Sequence, residues 1–306
     1  MRTGRVWRAV TAVAVAAVMA VAAAGCNSGG GKSLGGGGGG GGGSGSKQVT
    51  IGMIPWDEDI AVTELWKQLL EAKGYKVTVQ QLDAGPLFSG VASGSLSFFM
   101  DAWLPNTHAK YWKQFGSKVD DLGPWYQPAD LGLAVPDYVK NVKSLADLKA
   151  NASMFGGKIT GIEASAGEMD LAKNKVMPAY GLNGKMQLVQ SSTPAMLAAL
   201  QKAYTAKKPI VVTLWRPHWA FSTYKIHYLS DPKGAWGQPD KIHTIMSKKF
   251  AKNDPKVQGW MKNFKLTADQ LQGLEKLTHN KTGDQLTSAV KTWISQNKSL
   301  TDSWTK

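Results

Sequence analysis

The chain has 306 residues, of which 43% are hydrophobic, enough to build two lobes of ordinary size with buried cores. Its formal net charge is +14, but lysines are mixed with acidic residues along the predicted helices and no run of five like charges occurs, so we expect no nucleic-acid partner. The single cysteine excludes an intrachain disulfide.

The N-terminal segment is typical of an export signal. Three arginines lie among the first eight residues, and a mostly apolar run follows over residues 9–25. The run ends in small residues directly before Cys26, a pattern that resembles the lipobox of bacterial lipoproteins, whose cysteine receives a diacylglycerol after cleavage. We therefore predict a signal peptide over residues 1–25 and lipidation of Cys26. The alternatives are a simple cleaved signal and an uncleaved anchor helix, although the run is short of the ~20 residues that a membrane span needs.

Residues 26–46 are predicted to form a tether. They are almost wholly glycine and serine, with nine consecutive glycines at 35–43. Such a composition predicts a flexible coil with an r.m.s. span of ~25 Å. No GK[ST] sequence follows the nine glycines at 35–43, and no predicted strand precedes the segment, which argues against a phosphate loop. The folded part is expected to begin at Lys47 and to lie close to an anionic membrane surface, which its basic charge suits.

The first part of the fold alternates strands and helices. Apolar patterning predicts strand, helix, strand, helix, strand over residues 49–54, 58–73, 77–82, 87–92 and 96–100. Gly74 is predicted to end the first helix. This order is typical of a parallel sheet with right-handed crossovers. Residues 101–108 are interpreted as an exit loop that carries Trp103 and His108, ahead of a helix over 109–115.

The pattern restarts after a further strand that is predicted over residues 131–136. The second unit is predicted to contain, in order, helix, strand, helix, strand, helix and strand over 144–149, 158–162, 169–180, 186–190, 194–206 and 209–214. The remainder, over 250–304, is mostly amphipathic helix, with Thr267 as the N-cap of one helix. The chain is therefore predicted to form two α/β units side by side.

Three tryptophans follow strands at the points where the chain leaves the predicted sheets. Trp56 follows the first strand, Trp103 the third, and Trp215 the last strand of the second unit. Ligands of open α/β sheets bind at the carboxyl ends of strands, and aromatic faces around a small space suit quaternary ammonium ligands. We predict that the three rings meet in one pocket with His108. The alternative is that Trp103 packs in the core and His108 only caps the following helix.

Five short segments carry a combined signature through their order and spacing: Ile54-Pro55-Trp56-Asp57-Glu58, Ala84-Gly85-Pro86, Asp101-Ala102-Trp103-Leu104-Pro105-Asn106-Thr107-His108, Gly132-Leu133-Ala134-Val135-Pro136 and Trp215-Arg216-Pro217-His218-Trp219. Together they resemble the glycine betaine substrate-binding proteins of ABC importers, over residues 49–304. The resemblance implies the α/β, two-lobed periplasmic-binding-protein fold of type II, in which each lobe is a mostly parallel sheet flanked by helices and the ligand lies in the cleft. Lobe 1 is predicted over 47–135 plus 236–306, and lobe 2 over 136–235.

The resemblance also implies the roles of individual residues. A cage around the trimethylammonium group falls on Trp56, Trp103 and Trp215. The ligand carboxylate is expected to bind the imidazole of His108 and two backbone amides in the loop after the first strand of lobe 2, those of Gly167 and Glu168. Binding of this kind needs no catalytic residue, metal or cofactor, so an enzyme is not expected.

The predicted function is extracytoplasmic capture of glycine betaine and its delivery to the permease of an ABC importer for osmoprotection, by a monomer anchored to the outer face of the membrane. Choline, carnitine, proline betaine or a sulfonium osmolyte remain alternative ligands, because all of them fit an aromatic cage. A sensory receptor is an alternative partner. A cell-surface enzyme with His108 and Asp101, or His218 and a nearby acid, as a general-base pair is a further alternative, but the predicted folded part from Lys47 onward contains no GxSxG elbow and no HExxH motif.

Overall fold

The computed structural model describes residues 47–306, so the predicted signal peptide, Cys26 and the tether lie outside the described residues. Within that range, none of the helices combines the length and the apolar composition that crossing a membrane requires.

The first half of the described chain contains the predicted alternation of strands and helices. Its elements are β1 Gln48–Met53, α1 Asp57–Ala72, β2 Lys76–Gln81, α2 Ala84–Ser93, β3 Phe98–Leu104, α3 Ala109–Phe115 and β4 Val119–Pro136. Gly74 lies directly after the C-cap residue of α1 with a φ of 83°, a left-handed conformation that glycine adopts without steric cost. The predicted end of the first helix is therefore confirmed.

The second half is built from shorter strands and ends in a run of helices. Its elements are β5 Lys158–Thr160, α4 Gly167–Leu171, α5 Met177–Ala179, β6 Gln187–Val189, α6 Thr193–Thr205, β7 Val212–Arg216, α7 Ala220–Thr223, β8 Ile226–Tyr228, β9 Asp240–Ser247, α8 Lys248–Asn253, α9 Pro255–Asn263, α10 Ala268–Thr278, α11 Gly283–Gln296 and α12 Lys298–Trp304. A π-helical turn, Ala172–Val176, joins α4 to α5. The helix predicted over 144–149 is only a 3-10 turn, Leu145–Asp147, although Ser144 and Asp147 form a capping box at its start.

Strand β4 connects two sheets. Its first part pairs with β9 from Val119 to Ala129, and its last part pairs with β7 and β8 from Asp130 to Pro136. The strands follow the order β2-β1-β3-β9-β4-β7-β5-β6, with β8 also paired to β4. We call β2-β1-β3-β9 with the start of β4 the first sheet, and the end of β4 with β5 to β8 the second sheet.

The prediction of parallel sheets is correct for only some of the strand pairs. Strand β1 pairs in parallel with β2 and β3, and β5 pairs in parallel with β6 and β7. Strands β4 and β9 run antiparallel to their neighbours, so both sheets are mixed. The sequence pattern missed β8, β9 and the first part of β4. The reason for β4 is visible in its pairing, because Gly123, Pro124 and Pro128 interrupt the apolar alternation and the register with β9 shifts three times between Asp121 and Ala129.

The predicted N-cap of α10 is confirmed and supports a stability test. Thr267 Oγ1 accepts from the Gln270 amide at 3.3 Å, and Gln270 Oε1 accepts from the Thr267 amide at 2.8 Å. We expect Thr267→Ala to lower the free energy of unfolding by about 1 kcal/mol, because the cap satisfies an otherwise unpaired helix N–H. Urea denaturation followed by circular dichroism measures this loss.

Thr282 is a matched control for this experiment. It is the N-cap residue of α11 but makes no side-chain capping bond. Thr282→Ala should therefore change the free energy of unfolding by less than Thr267→Ala does. Equal losses in the two variants would contradict the capping argument.

Candidate functional site

A small cavity of about 20 Å³ lies between the two sheets, and residues from both sides line it. Its walls are formed by Trp56, Glu58, Trp103, Thr107, Leu131, Ile162, Ala166, Glu168 and Trp215. The three predicted tryptophans are thus brought together although 159 positions separate the first from the last in the sequence. They expose only 5%, 2% and 3% of their surface.

The three rings reach the cavity from different kinds of backbone. Trp56 is the N-cap residue of α1, and Trp215 lies in β7. Trp103 lies inside β3, which corrects the interpretation of residues 101–108 as an exit loop. The strand continues to Leu104 because β9, which the sequence pattern missed, pairs with Ala102, Trp103 and Leu104. The Trp56 and Trp215 ring centroids are 6.3 Å apart, with an angle of 55° between the planes.

Each of the three indole N–H groups points at a carboxylate. The N–H of Trp103 donates to Asp101 at 2.9 Å, and that of Trp215 donates to Glu58 at 2.8 Å. The N–H of Trp56 donates over 3.4 Å to Glu163. Because these bonds use the polar edges of the rings, the apolar faces remain for other contacts.

Sequence reasoning missed these three carboxylates as part of the site. Asp101 lies two residues before Trp103 and could have been found from that spacing, since side chains two apart on a strand share a face. Glu58 and Glu163 bond tryptophans of the opposite sheet, 157 and 107 positions away. No local pattern in the sequence signals such pairs.

His108 is fully buried behind Trp56 and is not among the residues that line the cavity. Its ring stacks on Trp56 with 5.8 Å between centroids and 10° between planes. It occupies the N-cap position of α3 but makes no capping bond through its side chain. Instead, its Nδ1 accepts from the Trp103 amide at 2.9 Å. The capping alternative therefore describes the position of His108 but not its hydrogen bonding.

The protonation of His108 follows from this burial. Removal from water lowers the pKa of the imidazole to about 3, so the ring is neutral at physiological pH. Since Nδ1 accepts a hydrogen bond, the ring proton belongs on Nε2. Nε2 is buried and has no partner among the described residues. His108 thus holds one unused donor next to the tryptophans.

Gly167 and Glu168 are the first two residues of α4, so their amides have no acceptor within the helix. Gly167 lies against the backbone of Thr107, and a Cβ at this position would be 2.0 Å from the Thr107 carbonyl oxygen. Only glycine allows this approach between the loop before α4 and the segment that carries His108. Ala166 and Glu168 line the cavity on either side of Gly167.

The side chain of Glu168 adds a carboxyl group to the cavity, whereas the sequence analysis considered only its amide. Glu168 is 3% exposed, and neither of its carboxyl oxygens has a hydrogen bond of good geometry. The nearby Leu214 amide lowers the pKa of Glu168 and so offsets part of the effect of burial on it. Burial raises the pKa of Glu168 well above its ordinary value. Burial also raises the pKa of Glu58, and the nearby Asp101 carboxylate raises it further.

The chemistry of the cavity wall therefore suits a small ligand with an apolar, positively charged end, although the cavity must widen to admit it. Its wall combines three indoles and two carboxyl groups with small and aliphatic side chains, and it contains no lysine or arginine. Within residues 47–306, no group of three or more His, Cys, Asp or Glu side chains is arranged to hold a metal ion. The first general-base pair suggested by the sequence, His108 with Asp101, is not formed, because His108 hydrogen-bonds the Trp103 amide instead. In the second pair, the acid near His218 is Asp57, and 3.4 Å separate His218 Nε2 from Asp57 Oδ2.

Comparison with known proteins places this site in a family context. The OpuAC family model, the substrate binding domain of the ABC-type glycine betaine transport system, matches residues 47–296. The glycine betaine/carnitine transport binding protein GbuC of Listeria monocytogenes is 37% identical over 147 residues. That match covers 48% of this chain and 48% of GbuC, so it spans about half the length of the relative.

Two solved structures cover nearly the whole described part. Lactococcal OpuAC, in its closed-liganded conformation with glycine betaine, is 34% identical with a TM-score of 0.78, over 85% of this chain and 99% of that one. The glycine/betaine/L-proline-binding protein ProX of Borrelia burgdorferi is 28% identical with a TM-score of 0.79, over 84% of this chain and 96% of that one.

These matches confirm the predicted fold class and the expectation that the chain is not an enzyme, since the family consists of transport substrate-binding proteins. The chain has the two-lobed periplasmic-binding-protein fold of type II and belongs to the OpuAC family of substrate-binding domains of ABC-type glycine betaine transport systems.

Proposed function

We propose that this protein captures glycine betaine in the cavity between its two sheets and delivers it to the permease of an ABC importer. The observation that carries the proposal is the meeting of three buried indoles from the two sheets at one cavity, namely Trp56, Trp103 and Trp215. Membership of the OpuAC family supports the same ligand class.

The cationic end of glycine betaine suits these rings. A trimethylammonium group has no N–H to donate, so a carboxylate cannot bind it through a directed hydrogen bond. Aromatic faces attract such a cation through their quadrupoles, by roughly 0.5–2 kcal/mol for each contact. No lysine or arginine lies in the same wall to repel a positive ligand, and the carboxyl oxygens of Glu58 and Glu168 add polar acceptor atoms to it.

The anionic end of glycine betaine needs donors, and we propose three of them. They are Nε2–H of His108 and the backbone amides of Gly167 and Glu168. A neutral donor is sufficient, because hydrogen bonds to a carboxylate are charge-assisted. His108 lies behind Trp56, so this contact requires the Trp56 ring to shift from its stacked position when the ligand enters.

Choline is the second candidate ligand, and a specific observation favours it. Two carboxyl groups and no basic side chain line the cavity, a balance that suits a ligand with one positive charge and a hydroxyl group. Carnitine and proline betaine share the ammonium and carboxylate of glycine betaine and belong in the same test. Titration calorimetry with these four compounds distinguishes the candidates.

The cellular setting is part of the proposal. We propose that Cys26 is lipidated, that residues 26–46 tether the folded part to the outer face of the membrane, and that the protein works there as a monomer in osmoprotection. The division into lobe 1, residues 47–135 plus 236–306, and lobe 2, residues 136–235, is likewise proposed. Strand β4, which belongs to both sheets, supports a hinge near residue 130.

The cage is tested by single alanine variants of Trp56, Trp103 and Trp215. Each should weaken glycine betaine binding by roughly 1–3 kcal/mol, because cation–π attraction and buried apolar contact are lost together. Titration calorimetry measures the affinity, and circular dichroism checks the fold. Trp112→Ala, a half-buried tryptophan on α3 outside the cavity, is the control and should bind as the wild type does. Normal binding by all three cage variants would show that the cage is misplaced.

The proposed role of His108 predicts a change in selectivity. Glycine betaine should bind more tightly than choline, and His108→Ala should cost glycine betaine about 1.5–3 kcal/mol through loss of a charge-assisted hydrogen bond. The advantage over choline should shrink, as dissociation constants for both ligands would show.

His218→Ala is the matched control for this measurement. His218 is also buried, and its ring packs against Trp215 with 4.8 Å between centroids, but we give it no role at the ligand carboxylate. Its replacement should affect both ligands equally. An unchanged ratio of the two affinities in His108→Ala would rule out the proposed role of His108.

The anchor is tested separately, by cell fractionation of a Cys26→Ser variant. This variant should leave the membrane fraction or remain unprocessed, because a diacylglyceryl cysteine carries two acyl chains, enough for stable attachment. The purified segment 47–306 should still bind the ligand. Mass spectrometry that finds an unmodified Cys26 on the mature protein would contradict the proposal.

A further inference from the structure

A second set of contacts joins the two halves of the fold outside the cavity. Trp219 Nε1 donates to Asp57 Oδ1 at 2.8 Å, and the Trp219 ring lies against His279 with 3.4 Å between ring centroids and 31° between planes. His218 Nε2 lies 3.4 Å from Asp57 Oδ2, an electrostatic contact without good hydrogen-bond geometry. None of these four residues lines the cavity. We call Asp57, His218, Trp219 and His279 the outer clasp.

The outer clasp connects elements of different sheets. Asp57 is the first residue of α1, which packs against β1, β2 and β3 of the first sheet, and His279 follows α10, which packs against α1. His218 and Trp219 come shortly after β7 of the second sheet, within four residues of Trp215. A movement that opens the cavity by separating the two sheets at this side must therefore also break the contacts of the clasp.

The carboxylate of Asp57 is the centre of the clasp. Burial raises the pKa of Asp57, but the contacts with His218 and Trp219 more than offset this effect, so the pKa lies below its ordinary value and the group is ionised at physiological pH. His218 Nδ1 accepts from the Ala220 amide at 3.1 Å, so a neutral ring carries its proton on Nε2, the atom that contacts Asp57. The bond from Trp219 is charge-assisted, which makes it stronger than a bond between neutral groups.

The start of α1 bonds the second sheet through consecutive residues. Three of them each have one partner there: Trp56 with Glu163, Asp57 with Trp219, and Glu58 with Trp215. Trp56 and Glu58 belong to the wall of the cavity. Asp57 instead lines a separate groove of about 360 Å³, together with Trp219 and His279. Asp57 therefore joins the two sheets next to the cage without being part of the wall that meets a ligand.

We propose that Asp57 is a positioning residue that keeps the two halves closed over a bound ligand, so that its contacts with Trp219 and His218 set how fast the ligand leaves. A ligand enclosed between the sheets leaves only when they separate, and the contacts of the clasp are lost in that step. The clasp should therefore act on dissociation more than on association. It should act equally on glycine betaine and choline, because it touches neither. This inference rests on the proposed binding of a quaternary ammonium ligand in the cavity.

The kinetic experiment follows tryptophan fluorescence by stopped flow with glycine betaine and with choline. Asp57→Ala should speed dissociation about tenfold, and Asp57→Asn about threefold, since an amide oxygen still accepts from Trp219. Both ligands should be affected by the same factor, and the association rate should change less than about twofold. Loss of a helix N-terminal charge alone would lower the stability to urea without this division between the two rates. A wild-type dissociation rate in Asp57→Ala would overturn the proposal.

A double-mutant cycle tests the bond between Asp57 and Trp219 itself. Trp219→Phe removes the indole N–H but keeps an aromatic ring beside His279. Alone it should speed dissociation about three- to tenfold, yet it should add nothing to Asp57→Ala, because the bond is already lost there. Effects that multiply in the double variant would contradict the proposed bond.

Asp121→Ala is the matched control. Asp121 on β4 pairs with His243 on β9 at 2.8 Å, so this acid–histidine pair lies within the first sheet and does not cross to the second. The variant should release the ligand at the wild-type rate. Release as fast as in Asp57→Ala would show that the loss of any such carboxylate has this effect, against the proposal.

A measurement without ligand separates this inference from the proposed function. Spin labels on Lys202→Cys and Ser288→Cys report the distance between α6, which connects β6 to β7, and α11, which packs against α1; both positions are exposed. A Cys26→Ser background leaves the introduced cysteines as the only ones. The short-distance population should decrease in Asp57→Ala and remain in Asp121→Ala. If glycine betaine does not bind, this result still decides whether the clasp closes the fold, and a wild-type distribution in Asp57→Ala would refute it.

Discussion

The hydrogen bond between an indole N–H and a buried carboxyl group is the interaction on which the site depends. Trp56, Trp103 and Trp215 each make one, and two of the three bonds cross from one sheet to the other. A buried indole N–H without a partner is costly, and a buried carboxyl without a donor costs more. Pairing the two satisfies the indole N–H and one oxygen of the carboxyl group, and holds the rings at the cavity by their edges, which leaves their faces for a ligand.

The same bonds explain why so many acids lie in the interior of a basic protein. The chain has a formal charge of +14, yet Glu58, Asp59, Asp101, Glu168 and Glu275 are buried around or behind the cavity. The lysines remain at the surface, where water solvates them. The exterior is therefore positive, whereas the interior contains carboxyl groups and no lysine. Burial raises the pKa values of several of these carboxyl groups, which favours their neutral form and reduces their mutual repulsion.

Long antiparallel strands give the fold its connection between the sheets. Strand β4 has 18 residues and belongs to both sheets, and β9 extends β3 far enough to include Trp103. The predicted parallel strands, β1 to β3 and β5 to β7, supply the sheet edges where the other tryptophans lie. The glycine at 167 allows the backbone of the second sheet's loop to touch Thr107. These features bring together groups that are distant in sequence.

The sequence alone determined the local elements with clear periodicity and the caps at Gly74 and Thr267, because each depends on residues near one another in the chain. It also determined the family signature and the three tryptophans, since each tryptophan lies within one of the short segments that carry that signature. It could not determine β9, the first part of β4 or the place of Trp103 inside a strand, since their pairing partners lie more than a hundred positions away. Only the tertiary structure decided which acid holds which indole, and that His108 lies behind Trp56 with an unpartnered Nε2. Those relations arise from burial and from contacts between the two sheets, which leave no periodic trace in the sequence.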